Sequence, residues 1–145
     1  MRKFLRIPLL AAAFSACTTV QVSPIDPDLA LLHVCIKKNP KVQVTDFVQV
    51  LEDGFSRHGV TTEVFSGKKP EHCEFVLNYT ALRSWDISPY LSHAELRITR
   101  NYRPVATATY HLEGKGGLSL MKWEGTKAKM DPVIDQLFAT GQRAK

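Results

Sequence analysis

Three cysteines (Cys17, Cys35, Cys73) and five histidines (His33, His58, His72, His93, His111) are the side chains of this 145-residue chain best suited to chemistry. A metal site would need them at ligand spacing. There is no Cys-x-x-Cys, and His72 directly before Cys73 is not a ligand spacing. His93 and His111 can face each other across a hairpin, but a third ligand is wanting unless the register shifts to bring in Glu95. Exposed strand histidines without a role are commoner than such sites, so the expectation is no metal. Nucleophilic catalysis fares no better: neither Gly-x-Ser-x-Gly nor His-Glu-x-x-His occurs. Gly114-Lys115-Gly116-Gly117 lacks the spacing, the following Ser or Thr and the helix of a phosphate loop, and reads as a turn. No catalytic residue and no cofactor is expected, and the chain reads as a protein that is not an enzyme.

Binding chemistry is better represented. Arg83, Trp85 and Asp86, with Tyr90 just past a turn, gather the guanidinium and aromatic groups from which binding hot spots are built. The competing reading has Trp85 capping the end of a sheet, with Arg83 and Asp86 as an ion pair beside it. Lys115, Lys122, Lys127 and Lys129 would suit an anionic lipid or lipopolysaccharide, although a solvated lysine face is the commoner outcome.

The elements that must position these groups follow from periodicity. Residues 29–36 (LALLHVCI) form a short apolar run, read as a buried strand. Val44, Phe47, Val48, Leu51 and Phe55 recur three and four apart on one helical face; Thr45 or Asp46 starts that helix and Gly59 ends it in the left-handed conformation. Residues 60–65 form the next strand, parallel to the first because a helix connects them. Residues 73–85, 90–100 and 105–113 read as an antiparallel meander with turns at 86–89 and 101–103. Pairing residues whose numbers sum to 204 puts Ala94, Leu96, Ile98, Ala106, Ala108 and Tyr110 on one face. Residues 118–123 read as a short edge strand. Asp131-Pro132 opens a second helix, Asp131 as cap and Pro132 in the first turn, with Val133, Ile134, Leu137 and Phe138 as its apolar face and Gly141 as its end. The predicted fold is therefore an α+β two-layer sandwich: a mostly antiparallel sheet, in β-α-β-β-β-β-α order, with two helices on one face.

The N-terminal stretch has a different character. Arg2, Lys3 and Arg6 precede an apolar run of about ten residues, half of what a bilayer's roughly 30 Å core requires of a helix, and small residues follow. Phe14-Ser15-Ala16-Cys17 resembles the lipobox of bacterial lipoproteins, with Phe14 where Leu is usual. The resemblance implies removal of 1–16 as a signal peptide, acylation of Cys17 and anchorage in a lipid bilayer; Thr18, rather than Asp, after the cysteine favours the outer membrane. The competing reading is ordinary cleavage after Ala13, with Cys17 a leftover thiol. Residues 17–28, with Pro24 and Pro27, read as an extended lipidated tether, 29–141 as a single periplasmic domain and 142–145 as a disordered tail. With Cys17 acylated, Cys35 and Cys73 can only pair with each other. In an oxidising periplasm a bridge is favoured over two free thiols and closes a loop of about 39 residues, worth ~4 kcal/mol on the chain-entropy model.

The charge of +5 invites a nucleic-acid partner. Three of the 19 basic residues lie in the leader, however, leaving 16 against 14 acidic ones, or +2. A nearly balanced exported protein is a poor nucleic-acid binder. Separately, NYTALRSWD, YHLEGKGGLSLMKW and KMDPVIDQL look like stretches of a family of small Gram-negative lipoproteins, which offers no activity to carry over. The element order is similar, at the level of fold alone, to the lipopolysaccharide-assembly lipoprotein that plugs an outer-membrane barrel. These features together lead us to expect a non-enzymatic accessory or binding factor of the cell envelope, with an envelope protein or glycolipid as partner. An inhibitor or immunity protein against a cell-wall hydrolase, or a small envelope hydrolase, are the alternatives.

Overall fold

A computed structural model describes residues 18–116 and 120–139 of the chain. The expected leader (1–16), Cys17, Gly141 and the expected 142–145 tail lie outside the described residues. The chain forms β1 (Thr18–Ser23), β2 (His33–Lys37), α1 (Phe47–Arg57), β3 (Thr61–Phe65), β4 (Phe75–Asp86), β5 (Ser88–Arg100), β6 (Arg103–Leu112) and α2 (Thr126–Leu137). One six-stranded sheet has the order β1-β6-β5-β4-β2-β3. Strand β2 runs parallel to both β3 and β4, and the remaining ladders are antiparallel. The fold is α+β, with a mixed sheet rather than a purely antiparallel one.

The meander follows the alternation of its side chains. Strands β5 and β6 pair from His93 with His111 through Ile98 with Ala106, the register that sums to 204. Asn101 and Tyr102 both take positive φ (51° and 63°), the two-residue turn whose twist matches a hairpin. A register shift between Ile98 and Thr99 brings Arg100 opposite Arg103. Ala94, Leu96, Ile98, Ala106, Ala108 and Tyr110 are buried in one core with Leu77, Tyr79, Val34 and Ile36, covered by Leu51 and Phe55 of α1 and Met130, Val133, Ile134 and Leu137 of α2. Helix α1 ends in a Schellman arrangement: Gly59 (φ 73°) donates to the Ser56 carbonyl and Val60 to that of Phe55.

Four expectations are corrected. Thr18–Ser23 is not a tether: Val20 and Val22 alternate with Thr19, Gln21 and Ser23, and the strand pairs with β6 from Thr18 opposite Leu112 to Ser23 opposite Thr107. Ile25 is buried and donates its N–H to the Leu137 carbonyl, so the domain begins before residue 29. With that edge taken, Leu120–Trp123 forms a 3-10 helix instead of an edge strand. Helix α2 starts at Thr126, five residues before Asp131, and Pro132 lies inside it. Asp131 is thus no cap; its carboxylate lies 3.1 Å from Arg57 and 2.8 Å from Lys127. Pro132 withholds one helical hydrogen bond, and burial of Met130, Val133 and Ile134 on the core holds the helix through it. Asp46 precedes α1 without a side-chain cap bond; its carboxylate accepts from the Thr126 hydroxyl at 2.9 Å, tying the starts of the two helices together.

Cys35 and Cys73 form a disulfide, with Cα atoms 5.8 Å apart. The bridge sits with Phe65 and Val76 in a small second apolar cluster. No described helix is long and apolar enough to cross a membrane.

Candidate binding surface

The four residues singled out around the β4–β5 hairpin separate into two pairs. Arg83 and Trp85 are exposed, Trp85 to 74%. The Arg83 guanidinium donates to Gln43 at 3.2 Å rather than pairing with Asp86. Asp86 and Tyr90 turn to structural work. The Asp86 carboxylate accepts from the buried Lys122 ammonium, and its carbonyl accepts from the Trp123 indole at 2.9 Å. Tyr90 is buried, with the ammonium groups of Lys122 and Lys129 5.9 and 5.5 Å from its ring centroid. These contacts strap the 3-10 helix onto the end of the hairpin.

Of the lysines of the expected basic face, the Lys115 side chain lies outside what the structure describes, and the other three divide in the same way. Lys127 is exposed, whereas Lys122 and Lys129 are buried. The Lys129 ammonium donates to the carbonyls of Leu91 and Lys122. Burial pushes its pKa down to about 8, against a smaller upward pull from Glu124. A basic lipid-facing patch therefore loses two of its four members, because long lysine stems are also good core material when carbonyls receive the head.

Sequence reasoning picked out Trp85 but missed its apolar neighbours. Leu82, Trp85 and Ile87 are all exposed at the hairpin end, Ile87 to 84%. Leu120 and Met121, exposed to 79% and 65%, stand in the 3-10 helix strapped to the same end. The available signal was Ile87 in Asp86-Ile87-Ser88-Pro89: a β-branched residue at a turn tip with φ 65° is unusual. A run of large apolar groups on a hairpin is what an interaction surface requires.

The sheet face away from the helices is polar. Lys37, Lys38 and Lys41 join Asn78, Glu95, Arg97, Thr107 and Thr109 around a groove of about 640 Å³. His93 and His111 are opposed as expected, Nδ1 to Nδ1 at 3.2 Å. Glu95 reaches His93 Nε2 at 3.0 Å without any change of register, because residues two apart share a strand face. These three do not converge on a point: His93 turns one ring nitrogen to His111 and the other to Glu95.

No protein-family model matches the chain, and no curated protein matches it. Among solved structures, a PelC dodecamer from Paraburkholderia phytofirmans is similar, with a TM-score of 0.57 at 15% identity, over 86% of this chain and 99% of that one. At that identity the likeness is one of fold.

Proposed function

We propose that this protein is a membrane-anchored periplasmic lipoprotein, held in the outer membrane by acylated Cys17. In this reading it acts without catalysis as a binding or assembly factor of the cell envelope. The observation that carries the binding role is the exposed end of the β4–β5 hairpin, where Leu82, Trp85 and Ile87 stand clear of a base made by Asp86, Lys122 and Trp123. Exposed apolar groups on a fixed support lose little entropy when a partner covers them. The similar PelC structure is a dodecamer, which favours a second copy of this chain among the candidate partners, beside an envelope protein or a glycolipid.

A hydrolase would call for a carboxylate held neutral by its surroundings. Glu63 and Asp135, the carboxylates displaced clearly from their usual range, are displaced downwards, each chiefly by a histidine hydrogen bond.

In-cell crosslinking with mass spectrometry tests the surface. Wild type should yield a defined partner or self-crosslink that Trp85→Ala with Ile87→Ala abolishes; retention of every crosslink in the double variant would remove the hairpin from consideration. Mass analysis of the native protein should show acyl chains on Cys17, lost in Cys17→Ala; an unmodified thiol would end the lipoprotein reading.

A further inference from the structure

We infer that His33, Glu63 and His72 form a site for a borderline divalent cation of the zinc class, assembled by the Cys35–Cys73 disulfide. The three residues come from separate segments. His33 opens β2, and Glu63 lies on β3 opposite Cys35 in the parallel ladder. His72 is brought beside them because its neighbour Cys73 is bonded to Cys35. One donor atom from each of the three, together with the Cys35 sulfur, fits within a mutual spread of 4.8 Å. That sulfur is committed to the bridge, so two imidazole nitrogens and one carboxylate oxygen remain as donors.

The distances suit a small ion. Glu63 Oε2 lies 2.7 Å from His72 Nε2 and 3.6 Å from His33 Nε2. A tetrahedral zinc with bonds of about 2.0–2.2 Å separates its ligand atoms by about 3.3 Å; both Glu63 distances lie near that value, and the two imidazole donors are no more than 4.8 Å apart. Two imidazoles and a carboxylate, with a fourth position left to water, are also a known donor set for that ion, and imidazole favours zinc, copper or nickel over magnesium or calcium.

His33 carries its own orienting contact. His33 Nδ1 is hydrogen-bonded to the Thr61 hydroxyl at 2.7 Å, and that hydroxyl also lies 3.2 Å from the Leu32 carbonyl. In the tautomer with its hydrogen on Nδ1, the ring is oriented by this hydroxyl and offers its Nε2 lone pair to an ion, as an outer hydroxyl or carbonyl arranges for metal-binding histidines. His72 Nε2 lies 2.7 Å from the Glu63 carboxylate, and an ion bound through that nitrogen requires the ring to carry its hydrogen on Nδ1 instead. All three side chains keep more than a third of their surface exposed, which gives the ion an entry path.

The test is calorimetric titration of zinc into the full chain, purified under non-reducing conditions, with cobalt absorption as a second readout. One equivalent should bind. His33→Asn, His72→Asn and Glu63→Gln should each weaken binding by about tenfold or more, and Thr61→Ala by about tenfold. His93→Asn with His111→Asn should leave it unchanged. Far-UV circular dichroism checks that each variant is folded. Joint replacement of Cys35 and Cys73 by Ala should weaken binding as His72→Asn does, since His72 is then no longer held. Absence of saturable binding, or unchanged affinity in a folded His33→Asn, His72→Asn double variant, would overturn the site; unchanged affinity without the disulfide would overturn the bridge's part in it.

Discussion

Gly54 of α1 rests against Ile134 of α2 so closely that a Cβ at position 54 would come within 2.5 Å of Ile134 Cδ1 and 3.2 Å of its Cγ2. Both residues are buried, and Phe55, Met130 and Leu137 of the same core cluster have no exposed surface to yield. Alanine at 54 would gain up to about 1 kcal/mol of helix propensity. Overpacking costs typically 1–3 kcal/mol and wins. Gly54→Ala should therefore lower stability in urea, and Gly54→Ala with Ile134→Val, which removes the obstructing methyl, should lose less than the two single changes added together.

Lys129 makes stability depend on pH in an uncommon direction. Its folded pKa, about 8, lies below the ordinary lysine value of 10.5. Between those limits the unfolded chain holds a proton that the folded chain has released, so stability rises with pH across that window. The neutral amine keeps N–H groups for the carbonyls of Leu91 and Lys122. Urea denaturation from pH 7.5 to 10 should show wild type gaining on the order of 1–3 kcal/mol relative to Lys129→Met. A constant difference between the two proteins would contradict this.

Asp135 should govern part of the acid limb. Its carboxylate accepts from His58 at 2.7 Å and Arg57 at 2.9 Å, which hold its pKa below the usual 3.8, the histidine bond foremost. A depressed carboxylate contributes above its unfolded value and loses that contribution as pH falls through the folded one. The pair is largely exposed, so the effect is no more than about 1 kcal/mol. Melting temperatures of wild type and Asp135→Asn should differ at pH 5–6 and converge as pH falls below the usual carboxylate range.

The disulfide should matter more. It joins residues 38 apart, a loop whose closure is worth about 4 kcal/mol on the chain-entropy model. Replacing Cys35 and Cys73 together by Ala should reduce the unfolding free energy by up to that amount. Proteolysis would then be fastest in the segment between Phe65 and Phe75, which the bridge pins to β2.

How much was legible in the sequence depended on whether local pattern and tertiary context agreed. The β5–β6 register could be read because one strand alternates Ala94, Leu96, Ile98 and the other Ala106, Ala108, Tyr110, so a slip of one would turn every apolar group outward. Gly59 could be read because a left-handed residue after an amphipathic run has one physical use. Strand β1 was masked by Pro24 and Pro27, although Val20 and Val22 already alternated with polar residues. Asp131-Pro132 misled for the opposite reason: it is a sound local start that Met130 on one side and Val133 on the other override by burial. Trp85 could be picked out as a hot-spot residue, but its apolar neighbours Leu82 and Ile87, and the grouping of His33, Glu63 and His72, lay beyond local pattern. Both depend on which segments the sheet and the disulfide bring side by side.

On the proposed reading, in which Cys17 carries a lipid, strand β1 also bears on how freely the body can move. Its first residue, Thr18, is already bonded into the sheet opposite Leu112, so Cys17 is followed by no slack chain at all. A lipid on that cysteine would act as a short pivot at one corner, with little room to swing. Such a body would travel along the bilayer and sweep only the layer next to it, and its partners would have to meet it there.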